Sequence, residues 1–240
     1  KHVLTREVAY DALSHQQRKQ LHEAVGQAIE ELYAERLAEN APILFHHYSR
    51  SSEVKKAIQF ALLAGEQAAN LYANTEAATY FNDALAFAKS LPDSPEAKRW
   101  QIDAIVGLAA TGTVTAEREN LELACKFAEE LQDRRRLTLA LYWLGRNYYV
   151  AAELKRAIEY ARRSLELADE AGDASLAAPP VNLMGRVYWQ LSDFARSAHM
   201  MERSVQQMRL LGNRNEESTA AGFVSALFGY MGDFEKALFY

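Results

Sequence analysis

The sequence predicts an all-α protein, a right-handed superhelix or α-solenoid of stacked antiparallel helix pairs. Three observations carry that expectation. Glycine (11) and proline (5) are sparse among 240 residues, at roughly half their usual share and too few for a turn-rich β-sandwich. Apolar residues return in steps of three and four, as in Ala157, Ile158, Ala161, Leu165 and Ala168, while Arg156, Arg162, Arg163 and Glu166 take mostly the other side. That is the stripe of an amphipathic helix, and no segment sustains a period of two. The third observation is repetition at a constant step of 40 residues, the mark of a repeat architecture.

The repeat is written in columns. Small residues stand at Ala77, Ala157, Ser197 and Ala237, with Glu117 out of pattern. Gly65, Gly145, Gly185 and Ser225 form a second column, from which Ile105 departs. Tyr148, Tyr188 and Phe228 form a third; Leu154, Phe194 and Phe234, each after an acid, form a fourth. Asp93, Asp133, Asp173 and Asn213 mark the ends of units. Each column has a physical reason. Glycine in mid-helix costs about 1 kcal/mol against alanine, so Gly145 and Gly185 predict the close approach of a neighbouring helix. Small residues at 157, 197 and 237 let the second helix of a pair press against the first, and Tyr148 and Tyr188 fill the space that remains. Gly172 and Gly212 close helices, Asp173 caps the next one, and another begins at Arg134 after Asp133. No proline interrupts the chain between Pro95 and Pro179. Pro179 and Pro180 put the start of the helix carrying Gly185 in question.

Leu144-Gly145-Arg146-Asn147-Tyr148, Met184-Gly185-Arg186-Val187-Tyr188 and Gly232-Asp233-Phe234-Glu235-Lys236-Ala237 resemble stretches of the tetratricopeptide repeat, a helix–turn–helix unit of about 34 residues. The step of 40 implies a longer variant with extended helices. The resemblance covers 134–240 well and 53–133 more loosely, through Gly65, Ala77 and Ala84-Leu85; it departs most over 96–132. The first 90 residues carry a second resemblance. Leu4-Thr5-Arg6-Glu7-Val8-Ala9-Tyr10, Arg18-Lys19-Gln20-Leu21-His22, His46-His47-Tyr48-Ser49 and Ala64-Gly65-Glu66-Gln67-Ala68 are similar to the junction after the ATPase module of STAND-class signalling proteins. Some bacterial members of that class join an adenylate/guanylate cyclase domain, the ATPase and C-terminal repeats; others end in a DNA-binding helix-turn-helix. The organisation this implies is a helical junction over 1–52, degenerate helix pairs over 53–133 and well-matched repeats over 134–240, interrupted at the C-terminal end.

Composition removes several classes of function. Hydrophobic residues make up 49% and charged residues 25% of the chain, which argues against intrinsic disorder. A net charge of −5 gives no electrostatic footprint for nucleic acid. The lone Cys125 excludes an intrachain disulfide and a multi-cysteine zinc site, and points to a reducing, cytoplasmic compartment. No run approaches the roughly 18 apolar residues of a membrane span, and the first residues hold no signal-peptide core. The chain starts without methionine and stops inside a helical pattern, so a piece of a longer protein is expected. An interrupted solenoid leaves an apolar face, which makes a homodimer one expectation.

No motif predicts a catalytic residue, a cofactor or a metal. Gly107-Leu108-Ala109-Ala110-Thr111-Gly112 has the glycines of a phosphate loop but continues Thr113-Val114, without the lysine and hydroxyl that must follow, and reads as a helix end. His46 and His47 are adjacent and point about 100° apart on a helix, a poor geometry for sharing one ion. His22 is a third candidate that nothing in the sequence brings near. Cys125 lies in the apolar pattern Leu121-Ala124-Cys125-Ala128, as a small buried residue does. No Gly-x-Ser-x-Gly elbow is present, and the carboxylates are spread along helix surfaces. Arg134-Arg135-Arg136 reads as a solvated face or as anchors for nearby acids, short of the wider patch nucleic acid needs.

The tetratricopeptide resemblance implies that the first helix of each pair lines a concave groove. Counting from the glycine column places Tyr142, Arg146 and Tyr149 there, then Asn182, Arg186 and Trp189 one repeat on; Gly229 holds the Trp189 column and Tyr230 lies beside it. Arginine offers a planar fork for carboxylate or phosphate, and tyrosine and tryptophan add contact area. The function implied is a non-catalytic protein-interaction or regulatory module, the arm of a multidomain signalling ATPase or nucleotide cyclase. Its partner is a protein or peptide in the groove, or another domain of the parent, and neither nucleic acid nor membrane. A sensor for a small-molecule effector and an enzyme hidden in the helical array are the alternatives.

Overall fold

Left-handed backbone recurs every 20 positions, at Gly112, Gln132, Ala152, Gly172, Ser192, Gly212 and Gly232, each with φ between 53° and 81°. The computed structural model describes residues 10–112, 117–212 and 214–240, the side chains of 215 and 216 excepted. In it a helix of 17 residues such as Arg134–Val150 and a turn of three give the step of 20, and two such steps give the repeat of 40. The turns close alike. The amide after the left-handed residue donates to the carbonyl five positions back: Asp133 to Ala128 at 2.9 Å, Glu153 to Tyr148 at 2.9 Å, Asp193 to Tyr188 at 2.9 Å and Asp233 to Phe228 at 2.9 Å. This is a Schellman closure.

The acid that supplies this amide also opens the next helix. The carboxylates of Asp133, Asp173, Asp193 and Asp233 accept from backbone amides of the following first turn, which satisfies an orphan donor and sets negative charge at the positive end of the helix. Glu153, one methylene longer, makes no such cap and pairs with Arg118 at 2.9 Å instead. At the Asp93 column position the neighbouring Ser94 takes the role, accepting from the Ala97 amide at 3.2 Å ahead of Pro95. The expectations that fall on 4–9, 113–114 and Asn213 lie outside the described residues.

Twelve helices and no strand are present among the described residues. They are α1 (His15–Leu32), α2 (Ala41–Tyr48), α3 (Val54–Asn70), α4 (Asn74–Ser90), α5 (Pro95–Thr111), α6 (Arg118–Glu130), α7 (Arg134–Val150), α8 (Leu154–Ala171), α9 (Ala174–Gln190), α10 (Phe194–Leu210), α11 (Arg214–Met231) and α12 (Phe234–Phe239). The chain divides into two compact units, Lys1–Thr115 and Ala116–Tyr240. Within each, consecutive helices pack on one another; the fold is an all-α, tetratricopeptide-like solenoid. α3 also meets α5 in the first unit, and α7 meets α9 in the second. None of the described helices is long and apolar enough to cross a membrane.

The glycine column is the point of closest approach, and it is filled in three ways. At Gly145 a Cβ would lie 3.2 Å from the Ala157 carbonyl oxygen and from the Ala161 nitrogen, so backbone meets backbone. At Gly185 the space is taken by the Met201 side chain, 2.7 Å from where a Cβ would stand. In the first unit the ring of Phe81 fills it, within 2.8 Å of a Cβ at Gly65 and within 2.5 Å of one at Gly107 on α5. Ala157 and Ser197 of the small-residue column are fully buried, and Ser197 Oγ donates to the Gly185 carbonyl at 2.8 Å. Tyr148 and Tyr188 are buried between helices as expected. Tyr148 stacks on Tyr160 at 5.2 Å, and the Arg118 guanidinium lies 4.2 Å from its ring centroid.

The proline pair does not displace the start of its helix. α9 begins at Ala174 and runs through Pro179 and Pro180. Asp173 fixes that start by accepting from the amides of Ser175 at 2.9 Å and Leu176 at 3.2 Å. Each proline instead deletes one helical hydrogen bond.

Candidate functional site

Tyr142, Arg146 and Tyr149 are spaced four and three residues apart on α7, so they share one face, as do Asn182 and Arg186 on α9. Because α7 and α9 pack directly, these two faces adjoin. Tyr142, Arg146, Tyr149, Val150, Asn182, Leu183 and Arg186 together line an open pocket of about 230 Å³. Five of the seven residues expected in the groove are thus gathered around one cavity. Trp189 and Tyr230 line the next, a hollow of about 420 Å³ with Leu154, Gln190, Ser192 and Phe194. Gln190 links the two: its Nε2 donates to the Tyr149 hydroxyl at 3.0 Å.

The charge in the first pocket is uncompensated. Arg118, Arg134, Arg163 and Arg203 elsewhere in this unit each hold a carboxylate within 3.0 Å. Arg146 and Arg186 are exposed, and neither pairs with a carboxylate of the described residues. The Arg146 guanidinium lies over the Trp143 ring at 5.3 Å, and Trp143 meets Tyr142 edge-on at 4.9 Å. Arg186 Nε donates to Asn182 Oδ1 at 2.8 Å, which orients the fork and leaves its two terminal nitrogens to donate to a ligand. Two guanidinium groups held this way can bind one carboxylate or phosphate group, or two neighbouring ones.

The other candidates resolve into structural roles. The Gly107–Gly112 stretch is the end of α5, with Gly112 as its left-handed cap. Arg134 pairs with Glu170 at 3.0 Å and Arg136 with Asp133 at 2.8 Å, so two of the three consecutive arginines are anchors. Cys125 is buried, and burial, with the charge of Glu129 behind it, pushes its thiol up to about 12; it is protonated and unreactive at neutral pH.

The histidines hold a contact that the sequence did not show. His22 Nδ1 stands 3.0 Å from His47 Nδ1, the Tyr10 hydroxyl is 2.9 Å from His22 Nε2, and the His46 ring lies 5.2 Å from that of His47. Arg50 reaches His46 Nδ1 at 3.1 Å. Burial first, then the neighbouring cations, hold His22, His46 and His47 below the ordinary histidine range. At 3.0 Å the contact is an ordinary hydrogen bond, in which one Nδ1 donates and the other accepts. Among the described residues no group of three His, Cys, Asp or Glu side chains is arranged to hold a metal ion.

Comparison with known proteins places the fold. No family model matches the chain, and no curated protein matches it. Among solved structures it is similar to BtubC from P. vanneervenii, with a TM-score of 0.62, 20% identity, and coverage of 85% of this chain and 84% of that one. It is similar to a signal transduction ATPase with numerous domains (STAND) that carries a tetratricopeptide-repeat sensor, from Pyrococcus horikoshii. There the TM-score is 0.62, identity 15%, and 88% of this chain covers 32% of that one. A Rap protein complexed with competence and sporulation factor matches with a TM-score of 0.57 and 15% identity, over 95% of this chain and 74% of that one. At these identities the likeness is one of fold. The chain spans about a third of the STAND protein's length.

Proposed function

We propose that this chain is a non-catalytic protein-interaction module whose groove on α7 and α9 receives an acidic segment of a protein partner. One observation carries the reading: Arg146 and Arg186, a repeat apart in the sequence, line a single pocket without a carboxylate of their own. Leaving two arginines uncompensated beside each other has a cost in charge repulsion that an anionic ligand removes. The pocket, at about 230 Å³ and open, falls below the roughly 300–1,000 Å³ of small-molecule sites, which favours a chain segment lying across it over an enclosed effector. The Rap protein of similar fold is complexed with competence and sporulation factor, an example of this scaffold holding a ligand.

The module serves, in this proposal, as a regulatory arm of a STAND-class signalling ATPase, in some relatives of which a nucleotide cyclase is joined. What supports this is the junction-like pattern of the first 90 residues and the likeness in fold to a STAND protein with a tetratricopeptide sensor. A partner that favours one arrangement of the parent would then shift its activity.

The test is an array of immobilised peptides of about ten residues and varied charge, probed with the chain and with an Arg146→Ala/Arg186→Ala variant shown by circular dichroism to stay folded. Acidic peptides should retain the wild type, lose the variant about tenfold or more, and weaken as salt rises. Equal retention of both proteins, or a preference for neutral or basic peptides, would contradict the proposal.

A further inference from the structure

We propose that the bound segment carries an apolar side chain two positions from its acidic one, and that the hollow beside Trp189 receives it. This rests on reading the arginine pocket as a peptide site. Three aromatic rings converge there: Trp189 with Phe194 at 5.4 Å, Trp189 with Tyr230 at 5.6 Å, and Phe194 with Tyr230 at 5.0 Å. Leu154 completes an apolar wall, and Tyr230 is 69% exposed. A wall of this kind gains by taking an apolar side chain out of water.

The occupant follows from the neighbour. Gln190, which lines the hollow, is bonded to Tyr149, which lines the cationic pocket, so the two lie side by side. Along α9, Trp189 and Gln190 lie three and four residues beyond Arg186, a rise of about 4.5–6 Å. In an extended peptide, side chains at i and i+2 point the same way and stand about 6.6 Å apart. A segment running along α9 with a carboxylate between Arg146 and Arg186 therefore brings its second neighbour over the aromatic wall. The cationic half selects charge, and the aromatic half selects an apolar residue at a fixed spacing.

The probes are fluorescein-labelled peptides of about eight residues in a Ser/Gly background, read by anisotropy. One pair carries Asp and Leu two apart in either order; a third peptide has Ser for Leu, and a fourth has Asp and Leu about five apart. One order of the pair should bind about tenfold or more tighter than the third and fourth peptides, the size expected for an added leucine contact. Tyr230→Ser, at an exposed position, should erase that gain and leave the affinity of the Asp-only peptide unchanged. Equal binding of all four peptides, dependent on Arg186, would overturn the aromatic subsite and leave the groove reading intact, as would a gain that survives Tyr230→Ser. No binding of any peptide would overturn both.

Discussion

Glu66 in the first unit and Arg146 and Arg186 in the second occupy the same column of the repeat, each directly after its glycine. The scaffold beneath them is shared and the charge is opposite. Burial, and then the charge of Asp103, pushes the Glu66 carboxyl above its ordinary range, whereas the two arginines face a pocket lined by tyrosines and an asparagine. Beneath the charge the packing differs as well: a phenylalanine ring fills the glycine column in the first unit, and backbone or a methionine fills it in the second. The glycine, small-residue and tyrosine columns build the stack, and the position after the glycine is left to set the chemistry of the face.

The sharpest way to break this comparison is to erase the charge difference. Arg146→Glu/Arg186→Glu should lower affinity for acidic peptides about 100-fold or more in calorimetric titration. Both side chains are exposed, so unfolding free energy should move by only about 0.5 kcal/mol. Glu66→Arg should leave that affinity unchanged; a gain in binding on this substitution would show that the acidic segment is not confined to the second unit.

The packing difference comes next. Phe81 is 3% exposed and wedged against two glycines, so its ring cannot yield to a methyl group. Gly107→Ala should destabilise by about 1–3 kcal/mol, the range for overpacking. At Gly185 the obstacle is the buried Met201 side chain from Cγ to Cε, which is more flexible than a ring; with the better helix propensity of alanine, worth up to about 1 kcal/mol, Gly185→Ala should cost less than Gly107→Ala. Denaturant midpoints for the two variants decide between them.

Acid should separate the units further. His22, His46 and His47 have folded-state values below the unfolded one. The unfolded chain then binds more protons in that window, so their contribution is full above about pH 6.5 and is lost as the pH falls through the lowered values. The caps Asp173 and Asp193 are lowered carboxylates, held chiefly by the hydrogen bond to Ser175 and by the Arg196 amide respectively. Their contribution is present above the unfolded value and lost only as the pH falls below about 4. Hydrogen exchange at pH 7 and 5.5, corrected for intrinsic rates, should show protection falling across 15–48 and holding across 174–210. His47→Gln should shrink the difference without abolishing it, because burial and Arg50 still hold His22 and His46 low.

The smallest effect concerns the turns. Ser192 adopts φ 59° without being glycine, a conformation that disfavours L-residues by about 1–2 kcal/mol. Ser192→Gly should stabilise by about 0.5–1 kcal/mol once the greater freedom of the unfolded chain is subtracted, measured as a shift in denaturant midpoint.

Much of the fold was legible because the repeat writes the same constraint several times. Gly145 with Ala157, and Gly185 with Ser197, announce close helix contacts that the structure contains. The step of 20 was harder to see, since Gln132, Ala152 and Ser192 adopt the left-handed turn without glycine, imposed by the Schellman closure and the acid that follows. The helix through Pro179 and Pro180 was obscured because the Asp173 cap and the buried face beyond it override a local penalty. Around the candidate site, column counting gathered Arg146 and Arg186, but not the link made by Gln190, which depends on one side-chain hydrogen bond. The His22–His47 contact joins residues 25 apart across the irregular segment between α1 and α2, where no repeat fixes the spacing.

The central claim is that two unpaired arginines of the second unit hold an acidic segment, and arginine side-chain resonances test it most directly. An isotope-labelled sample titrated with an Asp-containing peptide should show the Nε–H signals of Arg146 and Arg186 shifting together and saturably. Those of Arg118 and Arg163, already engaged by Glu153 and Glu129, should stay in place. Shifts confined to the paired arginines or to the first unit, with Arg146 and Arg186 unmoved, would contradict the account.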